Sequence, residues 1–515
     1  MAENLYIDTR GCCTHAVPFT EAVVKGLADG GGLFVPQNVP TMTIDEIVAL
    51  AEKPYAQRAA EVYKRFGIDV PHDTIDQLMD EAYGAQFDSE DICPITSLDE
   101  KTHIMELWHG PTAAFKDMAL QCLPRFFSAS AKLLTERGQL DHRFMILVAT
   151  SGDTGKAALE GFRDVPGVSI GVMYPHGGVS DIQYKQMATQ LGNNVCVWAV
   201  KGNFDDCQSG VKTVFSDEKF ANALMDEGKI ALSSANSINW GRLLPQVVYY
   251  LSGYAKLVAQ GAVSAGDPID VCVPTGNFGN ILAAWYAKQI GAPIEKLICA
   301  SNANRVLTDF IETGTYDISD RAFVLTPSPS MDILISSNLE RQLFELSGRD
   351  TQTIAQWMAD LKETGRFTVD AETLKRVQDT FKAGSTSDDE CLATIKQVFD
   401  QHHYLLDPHT AVAYHVADKQ RSENPLLIAS TAHWAKFGEN VYRGLHGIGA
   451  KEPLPANIAA LSGCELNQHI AQEIGNPYIP KGLAELDSLP IRFTETIEPA
   501  IESLEESVLD FVRTI

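Results

Sequence analysis

A single lysine lies in a short, mostly uncharged stretch that ends in an acidic residue. The stretch is HGPTAAFKD at residues 109–117, and it places Lys116 directly after Phe115. Apolar neighbours can partly desolvate a lysine, which lowers the pKa of its amine and frees that amine for Schiff-base chemistry. The same pattern also fits a lysine whose stem lies on the surface while its amine stays in water. Other polar stretches favour the reactive interpretation, because they supply loops suited to anions.

A glycine-containing stretch, PTGNFGN at 274–280, joins an apolar run at 269–273 to a helical pattern at 281–289. Glycines at such a strand-to-helix turn let backbone N–H groups point at one spot, and the helix N-terminus adds about half a positive charge there. This arrangement favours a phosphate dianion as the ligand. The alternative is a tight turn in which Gly276 and Gly279 are needed only for positive φ angles.

The stretch TSGDTGK at 150–156 has the same context, because it follows the apolar run 144–149. It is not a P-loop, since the glycine spacing before Lys156 is wrong and Ala157 stands where a P-loop has serine or threonine. A loop that binds a carboxylate at a helix N-terminus fits better. The alternative is ordinary helix capping by one of the side chains Ser151, Asp153 and Thr154.

Side-chain donors are concentrated in a third stretch, SSANSINWGR at 233–242. Its guanidinium, Arg242, can form bidentate, charge-assisted hydrogen bonds to a phosphate, with Asn236 and Ser237 nearby in sequence. The alternative is that Arg242 begins a surface helix, which the Asn and Ser residues cap.

A fourth stretch, STAHWAKF at 430–437, follows the apolar run 426–429. A hydroxyl at the C-terminal end of a parallel strand points into the ligand crevice of an open α/β sheet, which makes Thr431 a candidate binding residue. His433 could act as a base, but a single histidine is more often a structural hydrogen-bonding group.

Two other patterns are poor candidates for chemistry. The GVSIG run at 167–171 matches the GxSxG pattern of serine hydrolases, but Ser169 lies inside a strand-like run and not at the strand-to-helix turn that this chemistry requires. The adjacent His402 and His403 would point apart on a helix, and no HExxH motif or cysteine cluster accompanies them. We therefore expect no catalytic metal.

The composition is that of a large protein with a strongly acidic surface. The 515 residues are 45% hydrophobic, enough for two or more domains, and 67 acidic against 41 basic residues give a net charge of −26. Such a surface repels nucleic acid and anionic membranes, and no apolar run reaches the roughly 18 residues of a membrane span. The ten cysteines form no CxxC pair and no secretory signal is present, so we expect a cytoplasmic location.

From about residue 100, short apolar runs alternate with helical patterns. The runs are 144–149, 169–174, 195–200, 269–273, 296–300 and 426–429. Turn residues and then a helical segment follow each run, which predicts an α/β fold with parallel sheets covered by helices.

The remaining segments differ from this alternation. Residues 1–95 predict a mainly helical domain after a short strand. Residues 336–402 are rich in charge and predict a helical insertion without strands, with loops at 366–368 and 382–388. The tail after about residue 450 has weak periodicity and predicts an extension wrapped on the surface.

Nine stretches, taken in order, resemble the threonine synthase family in its longer form. They are YIDTRG at 6–11, DGGGLFVP at 29–36, HGPTAAFKD at 109–117, SANSINW at 234–240, PTGNFGN at 274–280, SNANRVLTDF at 301–310, SPSMDILISSNLER at 328–341, DPHTAVAY at 407–414 and STAHWAKF at 430–437. The resemblance covers nearly the whole chain. The family belongs to the tryptophan-synthase-like pyridoxal phosphate (PLP) enzymes and converts O-phospho-L-homoserine and water into L-threonine and phosphate.

The resemblance implies a fold, a cofactor and roles for matching residues. It implies two open, mostly parallel sheets, with a large PLP-binding domain at 96–115 and 236–515 and a small α/β domain at 116–235. The implied cofactor positions are Lys116, Gly276, Asn277, Phe278, Gly279, Asn280 and Thr431, and the implied substrate positions are Ser151, Asp153, Thr154, Lys156, Asn236, Ser237 and Arg242. Lys116 would be the catalytic lysine that holds the cofactor, and Thr431 would face its ring nitrogen. A small-molecule substrate and a monomer or homodimer are expected.

One residue departs from the pattern of many relatives. Their loop reads Ser-Gly-Asn-Thr, whereas this chain has Asp153 at the third position. A carboxylate beside a bound carboxylate or the cofactor ring must be protonated, paired with a cation or turned away.

Three other functions stay open. A phospho-lyase of this family would eliminate the same phosphate but release 2-oxobutyrate. A serine or threonine dehydratase would share the cofactor, although its substrate brings no phosphate for Arg242. A non-catalytic binding protein could also use this fold, because fold does not fix function.

Overall fold

The N-terminal unit is mainly helical, as expected. The computed structural model describes residues 3–515. The elements of this unit are β1 (Tyr6–Asp8), α1 (Phe19–Lys25), β2 (Phe34–Pro36), α2 (Ile44–Val48), α3 (Tyr55–Arg65) and α4 (His72–Ala82). Strands β1 and β2 pair in antiparallel fashion. Helix α2 begins with a capping box in which Thr43 and Glu46 satisfy each other's backbone N–H groups.

The chain then enters a large sheet, leaves it for a small one, and returns. The outgoing elements are β3 (Ile95–Ser97), β4 (Thr102–Glu106), α5 (Lys116–Leu120) and α6 (Leu123–Glu136). The small unit consists of β5 (Arg143–Ala149), α7 (Asp153–Phe162), β6 (Val168–Pro175), α8 (Asp181–Ala188), β7 (Val195–Val200), α9 (Phe204–Ser216), α10 (Glu218–Gly228) and β8 (Ile230–Ser233).

The returning chain completes the large sheet. Its first elements are α11 (Trp240–Ala259), β9 (Ile269–Pro274), α12 (Gly279–Ile290), β10 (Ile294–Ser301), α13 (Val306–Thr313), β11 (Thr315–Asp317), α14 (Leu339–Leu346), α15 (Thr351–Thr364), β12 (Arg366–Thr368), α16 (Ala371–Thr380) and β13 (Phe381–Ser385). The last elements are α17 (Asp388–His402), α18 (Pro408–Lys419), β14 (Leu426–Ser430), α19 (Gly438–His446), α20 (Ala456–Ala459), α21 (Gly463–Glu473), α22 (Lys481–Ala484), β15 (Thr496–Ile497) and α23 (Ile501–Val512).

The α/β fold with two open, mostly parallel sheets is confirmed. The six-stranded sheet has the order β13-β10-β9-β14-β4-β3, and only its edge strand β3 runs antiparallel. The five-stranded sheet has the order β15-β7-β6-β5-β8, and all its pairs are parallel. All six predicted apolar runs are strands of these sheets. Parallel strands covered on both faces bury nearly every side chain, which explains their continuous apolar character.

Two parts of the sequence prediction are wrong. The insertion at 336–402 contains two strands, β12 and β13, and β13 extends the large sheet beside β10. Its sequence, FKAGS, has one large apolar side chain, so it lacks the signal of a buried strand. The C-terminal tail is also not simply wrapped on the surface, because Leu466 and Ile470 on α21 are buried in a core cluster.

The last two elements, β15 and α23, pack on the small unit, although the sequence predicted them as part of the large domain. Strand β15 pairs with β7 at the edge of the small sheet. Helix α23 packs against α9 and α10 and buries Leu504 and Val508 among their apolar residues. The tail thus crosses from one sheet to the other.

The centre of the molecule is helix α11. Every residue from Trp240 to Leu257 is buried, and the helix packs against α2, α3, α5 and α12. It therefore joins the N-terminal unit to the large sheet at the place where a surface helix was one of the two interpretations of the sequence. Within residues 3–515, no helix combines the length and the apolar composition needed to cross a membrane.

Candidate active site

A cavity of about 2430 Å³ lies between the carboxyl ends of the strands of the two sheets. Loops that follow β5, β6, β8, β9 and β14 line it, as open α/β sheets commonly arrange their ligand sites. Of the residues that the sequence pointed to, those that line it are Lys116, Ser151, Thr154, Asn236, Ser237, Arg242, Gly276, Asn277, Phe278, Gly279, Asn280 and Thr431. Asp153 lies just behind this lining, and Lys156 points elsewhere.

Lys116 is the first residue of α5 and lies at the inner end of the cavity. Burial lowers the pKa of its amine to about 8; the carboxylate of Asp153 opposes this shift, and the cations Arg242 and Lys436 add to it. Its Nζ lies 3.5 Å from the hydroxyl of Ser330. A substantial fraction of this amine is therefore neutral near physiological pH and able to act as a nucleophile or a base.

The turn before Lys116 is fixed by a buried carboxylate. The backbone N–H and the hydroxyl of Thr112 both donate to Asp117, at 2.8 and 2.7 Å. A Cβ on Gly110 would lie 2.4 Å from the Cβ of Asp117, so only glycine fits there. Burial raises the pKa of Asp117 to about 6. This compact turn holds Lys116 in place.

The loop between β9 and α12 has the features of a phosphate cradle. Its positive φ angle belongs to Phe278, at 65°, and neither glycine has one. Gly276 is instead favoured by the lack of space, because a Cβ there would lie 3.1 Å from the carbonyl oxygen of Ser330 and 3.2 Å from Cα of Met331, so the neighbouring backbone would have to shift by a few tenths of an ångström. This finding removes the alternative in which the glycines serve only a turn.

The same loop leaves its donors available. Helix α12 begins without a side-chain cap, and within residues 3–515 the backbone N–H groups of 277–280 have no hydrogen-bond acceptor. Asn280 accepts hydrogen bonds from the hydroxyls of Tyr249 and Tyr250, while its buried Nδ2 has no partner among the described residues. These unpaired donors fit the phosphate of PLP.

The loop between β5 and α7 differs, because a side chain of the loop itself accepts hydrogen bonds from two of its backbone N–H groups. The hydroxyl of Thr150 accepts from the N–H groups of Gly152 and Gly155, at 3.0 and 2.9 Å. The sequence offered Ser151, Asp153 and Thr154 as capping residues, but none of them accepts from these two N–H groups. Ser151 and Thr154 instead line the cavity.

Asp153 is paired with a cation, which answers the question that the sequence left. Its Oδ1 lies 3.1 Å from Nζ of Lys436, a lysine that is only 1% exposed, and its Oδ2 accepts from the hydroxyl of Ser330 at 3.0 Å. Burial acts to raise the pKa of Asp153, but the cations Lys436 and Lys116 outweigh it and hold the pKa below its usual range. The carboxylate is thus charged and compensated.

Lys156 does not join the cavity. Its amine lies 3.2 Å from Glu160 and also contacts the side-chain oxygen of Gln190. The ion pair is between residues one helical turn apart on α7, so Lys156 has a structural partner that the sequence spacing already offered.

Arg242 lies near the N-terminus of α11 and is buried, with 4% of its surface exposed. Its Nη1 donates to the carbonyl of Ala235 at 3.0 Å, and its buried Nε has no partner among the described residues. Burial lowers its pKa to about 10, so it stays a cation at neutral pH. Asn239, one of the Asn residues of this stretch, caps the helix by accepting from Gly241 N–H, so the capping part of the alternative holds, but the helix is buried and not on the surface. The surface-helix alternative is therefore wrong.

Asn236 and Ser237 lie at the cavity wall before α11. Asn236 is exposed and Ser237 is half-buried, and the hydroxyl of Ser237 donates to Asn236 Oδ1 at 3.1 Å. They line the same cavity as Arg242, and the side chains of the three residues include donors suited to an anion.

Thr431 follows β14 and lines the cavity, and its carbonyl accepts from the N–H of Phe115 at 2.8 Å. The neighbouring His433 is structural: its Nδ1 accepts from Ala435 N–H at 3.1 Å, and burial lowers its pKa to about 3. It is held neutral and hydrogen-bonded in the loop.

Sequence reasoning missed three side chains of the site, namely Ser330, His409 and Lys436. His409 lines the cavity; its Nε2 accepts from Ser330 N–H at 3.1 Å, and its Nδ1 donates to Asp407 at 2.8 Å. All three residues occur in stretches quoted for the family resemblance, but no local spacing marks their roles. Among residues 3–515, no group of three or more His, Cys, Asp or Glu side chains could hold a metal ion.

A buried lysine of lowered pKa beside a free phosphate cradle, at the carboxyl ends of two parallel sheets, defines a PLP-dependent enzyme. The family described as pyridoxal-phosphate dependent enzyme matches residues 96–427, more than half of the chain. Threonine synthase N terminus matches residues 5–83, and threonine synthase, C-terminal, matches residues 410–473. The chain belongs to the threonine synthase family, and its cofactor is PLP.

Individual relatives agree with this assignment. A threonine synthase of Pseudomonas aeruginosa is 39% identical over 464 residues, which cover 88% of this chain and 93% of that protein. The solved structure of PLP-bound threonine synthase from Brucella melitensis has a TM-score of 0.86 and 37% identity, and the match covers 99% of this chain and 100% of that one. Human threonine synthase-like 1 is 44% identical over 436 residues, 83% of this chain, and the match spans 58% of the length of that protein.

Proposed function

We propose that this protein is a threonine synthase, which converts O-phospho-L-homoserine and water into L-threonine and phosphate. The observation that carries the proposal is that two groups of anion donors, one of backbone N–H groups and one around a buried guanidinium, line the same cavity as Lys116. The loop at 276–280 supplies backbone donors, and Arg242 supplies a buried cation with a free Nε. A cofactor phosphate needs one such site, and a substrate with its own phosphate needs the second.

The relatives support the same substrate class. The proteins named threonine synthase match this chain over more than nine-tenths of their own length in Pseudomonas aeruginosa and in Saccharomyces cerevisiae, where the values are 93% and 94%. A serine or threonine dehydratase would not need the Arg242 site, because its substrates bring no phosphate.

Lys116 is the proposed acid–base group. PLP, when bound, withdraws electrons from the substrate and so acidifies the protons at Cα and Cβ. The neutral amine of Lys116 would remove the Cα proton, and a second proton would leave Cβ, so that the electrons of that C–H bond expel phosphate from Cγ. A proton then returns at Cγ, water adds its oxygen at Cβ and gives up one proton, and Cα is reprotonated, so that one water is consumed for each phosphate released. A pKa near 8 suits removal and return of protons by this lysine, because the amine then exchanges a proton in either direction near neutral pH.

Arg242 is the proposed partner of the substrate phosphate. It remains charged at neutral pH, and its unpaired Nε can donate to a phosphate oxygen. A buried guanidinium stabilises the charge that develops as phosphate leaves Cγ. Asn236 and Ser237 would add neutral donors at the outer side of the same group.

The remaining residues orient the reactants. Ser151 and Thr154 face the cavity and are the proposed partners of the substrate carboxylate, and Thr431 is the proposed partner of the cofactor ring nitrogen. The ion pair of Asp153 and Lys436 holds Ser330 at the cavity, because Asp153 accepts a hydrogen bond from the Ser330 hydroxyl. Lys156 is left out of the proposal, because Glu160 and Gln190 occupy its amine.

Product analysis tests the function. Purified protein loaded with PLP is incubated with O-phospho-L-homoserine, and phosphate, threonine and 2-oxobutyrate are measured. Equal amounts of phosphate and threonine are expected. Phosphate with 2-oxobutyrate would replace the synthase by a phospho-lyase with the same substrate. Turnover of L-serine or L-threonine without phosphate chemistry would contradict the role of Arg242.

A further inference from the structure

The two anion sites are connected by a short segment whose role the sequence did not reveal. Residues 336–338, Ser-Ser-Asn, precede α14 and lie between the loop at 276–280 and the residue Ser237. We call this segment the bridge. It belongs to the stretch SPSMDILISSNLER, which the family resemblance includes without assigning it any chemistry.

One side of the bridge holds the cofactor loop. The hydroxyl of Ser336 donates to the carbonyl of Gly276 at 2.6 Å, and the backbone N–H of Asn338 donates to the carbonyl of Asn277 at 2.9 Å. The C=O and N–H of one trans peptide unit point in opposite directions. Because the bridge holds the carbonyls of Gly276 and Asn277, the N–H groups of Asn277 and Phe278 in the same two peptide units point away from the bridge. An anion on that far side can accept hydrogen bonds from them.

The other side of the bridge holds the substrate group. The side-chain Nδ2 of Asn338 donates to the carbonyl of Ser237 at 3.1 Å. The hydroxyls of Ser237 and Ser337 lie 3.3 Å apart. One fully buried asparagine thus contacts both anion sites, the cofactor loop through its backbone and the substrate group through its side chain.

A buried arginine fixes the orientation of that asparagine. Nη1 of Arg341 donates to Oδ1 of Asn338 at 2.6 Å, and its Nη2 donates to the carbonyl of Ile238. Because arginine can only donate, Oδ1 must face Arg341, and Nδ2 must face the carbonyl of Ser237. Nε of Arg341 donates to the carbonyl of Phe34 in β2 at 3.0 Å, so the N-terminal unit supports the same network.

We propose that Asn338 is a positioning residue that sets the distance between the cofactor-phosphate loop and the substrate-phosphate group, with Ser336 holding the cofactor side. The proposal rests on the proposed function for the identity of the second phosphate. It also gives the N-terminal unit a function, since β2 anchors Arg341 and Arg341 orients Asn338. Ser336 and Asn338 do not line the cavity, so both act through the loops that they hold.

The two sides can be tested separately, because different side chains serve them. Ser336→Ala removes the bond to Gly276 and leaves Asn338 intact. Asn338→Ala removes the bond to Ser237 but keeps the backbone bond to Asn277. Asn338→Asp keeps the acceptor for Arg341, replaces the donor to Ser237 by an oxygen and adds a negative charge next to the Arg341 guanidinium, so this variant retains its buried partner.

The readouts are binding constants and do not depend on turnover. PLP affinity is measured by spectral titration, and inorganic phosphate binding to the holoenzyme is measured by calorimetry. Loss of one hydrogen bond predicts that both Asn338 variants weaken phosphate binding about five- to tenfold while PLP affinity stays near that of the wild type. Ser336→Ala should do the opposite. KM for O-phospho-L-homoserine should rise in the Asn338 variants more than kcat falls.

The outcomes separate this proposal from the proposed function. If all three variants weakened both ligands equally, the bridge would be only structural and the proposal would be wrong. If Asn338→Asp weakened phosphate binding and Asn338→Ala did not, the added charge would be the cause, and this result would also contradict the positioning role of Asn338. If the wild-type protein bound phosphate and the expected split appeared without any threonine being formed, the proposed function would fail and the positioning role would stand.

Discussion

Two strand-to-helix turns line the same cavity, and they treat the free backbone N–H groups at their helix N-termini differently. The turn from β9 to α12 has no side-chain cap, and its N–H groups at 277–280 stay free of acceptors within the described chain. The turn from β5 to α7 uses the hydroxyl of Thr150 to accept from Gly152 and Gly155. Both turns end a parallel strand and begin a helix with its partial positive charge.

The difference indicates what each turn can bind. Free N–H groups at a helix N-terminus suit a phosphate dianion, which needs several donors at once. A turn that caps itself keeps fewer backbone donors and relies on side chains, here Ser151 and Thr154, which suits a carboxylate. The small-sheet turn also carries a charge, Asp153, that the large-sheet turn lacks, and this charge acts on Lys116 between them.

The largest expected effect is the loss of turnover when Lys116, which lines the same cavity as both turns, is removed. Lys116→Ala should lower turnover of O-phospho-L-homoserine by about a thousandfold or more, because it removes the proposed nucleophile and base. PLP should still bind without a covalent link, since the loop at 276–280 is intact. Turnover and the visible absorbance of the bound cofactor measure these effects. Lys156→Ala is the matched control and should stay close to the wild type, and retained colour and turnover in Lys116→Ala would contradict the assignment.

The next largest effect is a loss of PLP affinity when the loop at 276–280 alone is changed. Gly276→Ala would place a Cβ 3.1 Å from the backbone oxygen of Ser330, which cannot move freely. Overpacking of this kind should weaken PLP affinity about tenfold or more, measured by titration of the protein with PLP. Gly84→Ala is a suitable control, because its Cβ would meet the backbone oxygen of Asp80 at 3.2 Å outside the cavity. Equal losses of PLP affinity in both variants would argue against a cradle at Gly276.

A smaller effect concerns the charge on the small-sheet turn. Covalent attachment of PLP requires the neutral amine of Lys116, so its rate should rise with pH and reach its midpoint near the pKa of about 8. The carboxylate of Asp153 raises that pKa, and Asp153→Asn should therefore move the midpoint to lower pH. Borohydride trapping of the attached cofactor across a pH series measures the midpoint. Glu160→Gln, which changes a carboxylate paired with Lys156, should leave it in place, and a midpoint that rises in Asp153→Asn would refute the electrostatic role.

The smallest effect is on the self-capped turn. Thr150→Val removes the acceptor for two buried N–H groups and should cost about 1–2 kcal/mol of unfolding free energy, measured by chemical denaturation. KM for the substrate should rise while PLP affinity stays unchanged. Thr135→Val, which removes a hydroxyl bonded to Ala131 on the exposed side of α6, serves as the control. A loss of PLP affinity in Thr150→Val would show that the two turns are not independent.

The strands of the two sheets were predictable where burial imposes continuous apolar runs. β6 and β9 are buried at every position, and their sequences show it directly. β3, β4, β8, β13 and β15 were missed. Strand β4 is buried at every position, but its sequence, THIME, is not a continuous apolar run. β8 is half-buried in part, and β13 consists largely of small or polar residues at a sheet edge. For such strands the pairing partner, and not local composition, decides the conformation.

The sequence by itself determined the parallel α/β fold, because hydrophobic runs are local. It singled out Lys116 and the loop at 276–280 as candidates while leaving their structural alternatives open. The tertiary structure alone decided that Asp153 pairs with Lys436, that Lys156 contacts Gln190, and that Arg242 is buried with a free donor. It also brought Asn338 between the two anion sites and the C-terminal strand to the small sheet. These contacts join residues far apart in the chain, and a buried charge or amide is settled by whichever partner the fold places beside it.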